Sequence, residues 1–190
     1  KLWIHVYLLV EILKKKISSI LQNNMSQWVA FEESRKHMRV FKMQHYCEIP
    51  TPKGTLRGFF HKPNQDKHPV CLIFHGFTGQ KTGTKFSYVQ LSRMLESKGI
   101  ASFPFDFLGS GESDGNFVDM TFQDELSCAR VILEECLKME NCTEIYVLGH
   151  SMGGAIASEL AKLYPDVIKK MVLWAPAFNL PDAFHYLTGQ

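Results

Sequence analysis

The segment Gly149-His150-Ser151-Met152-Gly153 has the pattern G-x-S-x-G, in which the serine is a candidate nucleophile. An apolar, strand-like run precedes it at 144–149, and an alanine-rich, helical run follows it. A serine on a tight turn from strand to helix lies at the helix N-terminus, where backbone N–H groups and the helix dipole favour negative charge. The pentapeptide alone also fits an ordinary turn of small residues. Its context favours nucleophilic catalysis by Ser151.

A second segment, His75-Gly76-Phe77-Thr78-Gly79, follows the apolar run at 69–74. In acyl transfer at a G-x-S-x-G site, one oxyanion donor is the N–H of the residue after the nucleophile, and the other comes from the loop after the third strand. Met152 and Phe77 occupy these two positions. Each such donor contributes about 10²–10³ in rate. We therefore predict an oxyanion hole formed by the N–H groups of Phe77 and Met152.

The two histidines in these segments are weak candidates for the general base. His75 is expected to be a buried histidine that is hydrogen-bonded to backbone. His150 adjoins the serine, and a strained turn would direct its ring elsewhere. His150 is therefore expected to be structural or to form a wall of the pocket.

A third segment, Asp106 to Ser113, follows the strand-like run at 100–105 and contains the lone G-x-G of Gly109 and Gly111. A phosphate-binding loop would need a Lys-Ser/Thr pair, a third glycine or an acidic residue at the dinucleotide spacing, and none of these is present. The segment is expected to be a structural loop beside the active site.

Strand-like and helix-like segments alternate from residue 44 onward. Thr121 and Asp124 have the spacing of a helix N-terminal cap, and Gly99 is typical of a helix C-terminus. This order predicts an α/β fold with a mostly parallel sheet and helices on both faces. The predicted strands are 44–49, 55–61, 69–74, 100–105, 144–149 and 170–175, and the predicted helices are 86–98, 121–140 and 152–163.

The composition is that of a globular protein: 45% of the 190 residues are hydrophobic and 21% are charged. The net charge of +2 gives no reason to expect a nucleic-acid partner. Five cysteines are present, an odd number with no C-x-x-C pair, which argues against a zinc site and a disulfide framework. We therefore expect a reducing, cytoplasmic environment.

Residues 1–43 are expected to be a leader or upstream segment outside the fold, and 44–190 to be the folded core. The apolar run 2–13 is shorter than the about 20 residues that span a bilayer, and no small-residue cleavage site follows it. The alternative is an interfacial anchor, because three lysines at 14–16 follow the apolar run.

The sequence contains the three motifs HGFTG (75–79), DFLGSGESDG (106–115) and GHSMGG (149–154). Together these motifs resemble the α/β-hydrolase superfamily. Within it they are most similar to bacterial cinnamoyl and feruloyl esterases, and more broadly to serine-aminopeptidase-like and monoacylglycerol-lipase-like hydrolases. The resemblance implies a serine esterase acting on small carboxylic esters, including hydroxycinnamates, with Ser151 as nucleophile, Phe77 and Met152 as oxyanion donors and no metal or organic cofactor. Neither a nucleic-acid partner nor membrane association is implied.

The pattern departs from this family toward the C-terminus. The family places an acidic residue and a histidine on loops after later strands, and it has about eight strands where this sequence predicts six. The segment starting near 177 resembles the beginning of an inserted lid, so the triad acid and base are expected beyond residue 190. Asp182 and His185 are the alternative acid and base within the sequence. Other acyl-transfer chemistry (lipase, peptidase or acyltransferase) and a catalytically incomplete chain also remain open.

Overall fold

The computed structural model describes residues 44–179. The expected leader, 1–43, lies outside the described residues, as does most of the expected lid segment. Asp182 and His185 therefore lie outside them as well.

The described residues form a six-stranded sheet flanked by three helices. These elements occur in the order that the sequence predicts, and the strands are joined in the order β1-β2-β4-β3-β5-β6. The strands are β1 (His45–Thr51), β2 (Gly54–Phe60), β3 (His68–Phe74), β4 (Ala101–Asp106), β5 (Cys142–His150) and β6 (Ile168–Trp174); the helices are α1 (Ser87–Ser97), α2 (Phe122–Leu137) and α3 (Met152–Leu163), with short 3-10 helices at Thr84–Phe86 and Phe117–Asp119.

Strand pairing confirms the predicted mostly parallel sheet. β1 and β2 form an antiparallel hairpin, and β2 is also antiparallel to β4. β4, β3, β5 and β6 run parallel, so their carboxyl ends lie along one edge of the sheet. Loops at that edge are the usual place for a ligand site in an α/β sheet.

The central strand β3 is covered on both faces because its side chains alternate. Leu72 and Phe74 pack with the buried faces of α2 and α3. Cys71 and Ile73 point to the opposite side and pack with Tyr88 of α1. Apolar residues at nearly every position of β3 therefore reflect a strand buried between two helical layers.

The outer strand β6 forms an apolar edge of the sheet. Its residues are apolar at nearly every position, as in an interior strand, so the sequence predicts a hydrophobic edge that lacks a further strand partner within this chain. Within residues 44–179, β6 pairs with β5 alone, and Met171, Val172 and Trp174 are 41%, 55% and 46% exposed.

The predicted cap of α2 is confirmed. The Thr121 side chain accepts a hydrogen bond from the backbone N–H of Asp124 at 3.1 Å. Helix α2 begins at Phe122, directly after Thr121. At the end of α1, Gly99 has φ 79° and donates its N–H to the carbonyl of Glu96 at 3.0 Å, as the sequence also predicts.

Replacing Thr121 with alanine is expected to lower the free energy of unfolding by about 1 kcal/mol, because an N-terminal N–H of α2 loses its side-chain acceptor. Chemical denaturation measures this change. Thr121→Ser keeps the hydroxyl and is the control, so an equal loss in both variants would contradict a capping role.

Candidate active site

Ser151 lies on a strained turn between β5 and α3. Its φ of 54° and ψ of −119° are unusual for a residue that carries a side chain. Its N–H donates to the carbonyl of Trp174 at 3.0 Å, and its carbonyl accepts from the N–H of Ala177 at 2.9 Å. Backbone at the end of β6 thus holds the strained residue on both sides. This is the geometry of a nucleophile elbow.

The two outer glycines of the G-x-S-x-G segment are required by close packing. A Cβ on Gly149 would lie 2.2 Å from the carbonyl oxygen of Gly153. A Cβ on Gly153 would lie 2.4 Å from the carbonyl oxygens of Phe74 and His75. Helix α3 therefore starts in direct contact with the backbone at the end of β3.

The loop after β3 lies against the serine. A Cβ on Gly76 would be 2.9 Å from Cβ of Ser151, and the N–H of Gly79 closes a tight turn onto the carbonyl of Gly76 at 2.9 Å. Phe77, between them, lines the same pocket as Ser151. Met152 is the first residue of α3, where N–H groups have no acceptor within the helix. The two predicted donor residues thus belong to segments that meet at Ser151.

His75 is a buried, neutral histidine bonded to backbone, as predicted. Its Nε2 accepts from the N–H of Phe107 at 3.1 Å, so Nδ1 carries the proton and donates to the carbonyl of Gly76 at 2.8 Å. Burial lowers the pKa of His75 and outweighs the Gly76 hydrogen bond, which acts to raise it. Both ring nitrogens of His75 are hydrogen-bonded, and the residue is 1% exposed.

His150 forms part of the pocket wall, as the sequence suggests. Its ring centroid lies 5.1 Å from that of Trp174 and 6.4 Å from that of Tyr88. Within residues 44–179, neither His150 nor His75 hydrogen-bonds to the Ser151 hydroxyl. Within the described part of the chain, the candidate nucleophile Ser151 therefore has no histidine base in contact with its hydroxyl.

A pocket of about 480 Å³ opens beside Ser151. Its walls come from the loop after β3, the loop after β4, the start of α1 and the elbow. Phe77 and Phe117 form an aromatic pair at this pocket, with ring centroids 5.2 Å apart and exposures of 36% and 38%. No motif in the sequence indicates Phe117, because it meets Phe77 only in the folded chain.

The loop after β4 is a structural loop at the pocket, as predicted. Gly109, Ser110 and Gly111 line the pocket. The carboxylate of Asp106 is fully buried, and the Lys81 ammonium lies 2.5 Å from its Oδ2. Lys81 was not indicated by the sequence, because a single lysine in a polar turn has no distinguishing pattern. Among residues 44–179, no group of three His, Cys, Asp or Glu side chains is arranged to hold a metal ion.

The strand order and the elbow serine define the α/β-hydrolase class. Residues 65–188, more than half of the chain, match the family described as serine aminopeptidase, S33. The chain belongs to this family. No helix within 44–179 has the length and apolar composition needed to cross a membrane.

Several known proteins are similar to this chain. The structure titled "Ferulic Acid bound to Est1E from Butyrivibrio proteoclasticus" is 30% identical with a TM-score of 0.69, over 74% of this chain and 56% of that one. Human monoglyceride lipase is 32% identical over 69% of this chain and 39% of its own length. Protein phosphatase methylesterase 1 of Candida albicans is 27% identical over 60% of this chain and 31% of its own length. The chain thus spans about a third to two fifths of these two curated relatives.

Proposed function

We propose that the protein is a serine hydrolase of small carboxylic esters with Ser151 as its nucleophile. The observation that carries this proposal is the strained Ser151 turn, which opens into a pocket and lies against the Gly76–Phe77 backbone. No metal or organic cofactor is needed for this chemistry. The likeness to an esterase structure and to curated ester hydrolases supports the same reaction class.

The reaction has two steps. The Ser151 Oγ attacks the ester carbonyl while a histidine base accepts its proton, and the N–H groups of Phe77 and Met152 stabilise the resulting oxyanion. Collapse of the tetrahedral intermediate expels the alcohol, which takes up the proton from the base, and leaves an acyl-enzyme on Ser151. Water then attacks the acyl-enzyme, releases the carboxylic acid and restores the serine. In α/β hydrolases the base and its acidic partner follow the nucleophile along the chain.

Within this class, we propose hydroxycinnamate esters as substrates. The Phe77–Phe117 pair presents aromatic surface to the pocket, and stacked or edge-on aromatic contacts favour an aromatic acyl group. The Est1E structure, which contains ferulic acid, supports the same choice. The likeness to monoglyceride lipase makes a monoacylglycerol the second candidate.

A substrate panel separates these possibilities. We expect the full-length protein to hydrolyse methyl ferulate with a higher kcat/KM than 1-monooleoylglycerol, and not to cleave an alanyl anilide. A preference for the glycerol ester would favour lipase activity, and cleavage of the anilide alone would contradict an esterase.

Replacing Phe117 with alanine is expected to lower kcat/KM for methyl ferulate about fivefold, because an aromatic contact contributes about 1 kcal/mol beyond its buried area. The kcat/KM for methyl butanoate should change little, since this acyl group has no ring. Val118→Ala is the matched control, because Val118 is 87% exposed and does not line the pocket. Equal losses on both esters in Phe117→Ala would contradict a role in acyl selection.

We also propose a cytoplasmic location. Its support is the cysteine usage: all five thiols lie within the described residues and are unpaired.

A further inference from the structure

Lys81 occupies an unusual position for a lysine. It lies in the turn after β3, four residues beyond Phe77, and it is only 5% exposed. Its ammonium lies 2.5 Å from Asp106 Oδ2 and 2.6 Å from Glu112 Oε2, and 5.2 Å from the centre of the Phe59 ring. Buried charges are tolerated when they are paired and hydrogen-bonded, so this ammonium is held at one place.

The carboxylate of Asp106 joins two loops. Its Oδ1 accepts the backbone N–H of Lys81 at 2.6 Å, and its Oδ2 accepts the backbone N–H of Glu112 at 2.9 Å. Including the Lys81 ammonium, it receives three hydrogen bonds, two of them from the loop after β3. Asp106 is the last residue of β4, so these bonds fix the loop after β3 to the end of a neighbouring strand.

The same loop is held at its other end by His75. The His75 ring bridges the N–H of Phe107 and the carbonyl of Gly76. The segment 75–81 is therefore attached to residues 106–107 at both of its ends. Phe77 lies between these two attachments, in the tight turn closed by Gly76 and Gly79. The position of its N–H relative to Ser151 depends on both.

We propose that Lys81, acting through the buried carboxylate of Asp106, is a positioning residue that holds the Phe77 N–H in place as an oxyanion donor. This inference rests on the proposed function, because it assigns a role to a group of the same site. Lys81 itself does not line the pocket and does not touch the reacting atoms.

The charge state of Lys81 is consistent with this role. Burial alone acts to lower its pKa, but the hydrogen bonds and attraction of Asp106 and Glu112 outweigh burial and raise the pKa above its usual value. The ammonium therefore stays charged at neutral pH. Removing it would leave the Asp106 carboxylate, which is 0% exposed, without its counter-charge.

The test is Lys81→Met in the full-length protein, assayed well below its melting temperature. We expect kcat for ester hydrolysis to fall about 100-fold with KM within threefold of wild type, as expected when an oxyanion donor is misplaced. Lys81→Arg keeps a cation at this position and should recover at least a third of the wild-type kcat. Leu133→Ala, which creates a cavity in the core at α2, is the control that lowers stability without touching the loop.

Wild-type kcat in folded Lys81→Met, or an equal loss of kcat in Leu133→Ala, would overturn the proposal. If Lys81→Met does not fold, Glu112→Gln replaces it, because Glu112 is 61% exposed and contacts the same ammonium. That variant should lower kcat about threefold to tenfold at an unchanged Tm, on the scale of a weakened charged hydrogen bond; an unchanged kcat would overturn the proposal.

Hydrogen–deuterium exchange separates this proposal from the proposed function. Lys81→Met should speed amide exchange in residues 75–81 and leave α3 unchanged, whether or not the wild-type protein hydrolyses esters. Faster exchange combined with a wild-type protein inactive on every ester would refute the esterase function alone. Unchanged exchange in 75–81 would refute the positioning role.

Discussion

Replacing Ser151 with alanine in the full-length protein is expected to lower ester hydrolysis by about 10³-fold or more, because removal of a serine nucleophile leaves only the contributions of binding and the oxyanion hole. The variant should also lose covalent labelling by a fluorophosphonate, which reacts with an activated serine hydroxyl. Active-site titration measures this as one equivalent of reagent per wild-type chain and none per Ser151→Ala chain. Thermal stability should not decrease, since the hydroxyl makes no hydrogen bond within the described residues.

Ser158→Ala is the matched control for this experiment. Ser158 lies on α3, seven residues beyond Ser151, and its hydroxyl donates to the carbonyl of Gly154 at 2.9 Å. It should retain near wild-type turnover and one equivalent of labelling. Turnover by Ser151→Ala within a few-fold of wild type would refute Ser151 as the nucleophile.

Replacing Gly153 with alanine is expected to lower the free energy of unfolding by about 3 kcal/mol, at the upper end of the cost of overpacking. The added methyl group would lie 2.4 Å from the carbonyl oxygens of Phe74 and His75, which belong to the end of the central strand and the start of its loop. Gly149, the partner of Phe74 in the sheet, is also in close contact with the carbonyl of Gly153, so the start of helix α3 lies tightly on two central strands. Calorimetry should show a Tm about 10 °C below wild type.

Gly154→Ala is the comparison variant. Its added methyl group would lie 2.8 Å from Cβ of Pro176, in the segment after β6 rather than in the sheet. That segment can shift more readily than a central strand, so we expect a smaller loss of Tm. Equal losses in the two variants would contradict the close contact between α3 and β3 as the reason for Gly153.

The elements that carry local patterns were predictable from the sequence. The burial of strand β3 and the Thr121 cap of α2 each depend on residues that are close together along the chain. Both predictions are confirmed. Helix α2 ends at Leu137, earlier than the predicted 140, because helix ends depend on packing as well as on composition. The burial of His75 was also predicted, since a histidine at the end of an apolar strand lies next to the core.

The exposed apolar edge at β6 was predictable from the sequence, but the segments that would cover it were not. An apolar strand is typical of an interior position in a sheet, and its side chains do not say which segments supply the cover. Within the described residues, the cover is not present on Met171, Val172 and Trp174. Burial of a strand depends on its neighbours in the sheet, and these are separate parts of the chain.

By itself, the sequence determined the order of strands and helices, the α/β class and the serine in its turn, because each depends on residue types at short, regular spacings. Only the tertiary structure decided that β4 inserts between β2 and β3, which brings Asp106 to Lys81 and Phe117 to Phe77. The partners in these pairs lie 25 and 40 residues apart in sequence, and no local spacing couples them. The order of strands in the sheet brings these partners together. The paired strands are distant in sequence, and the free energy of their pairing depends on the packing of the whole core.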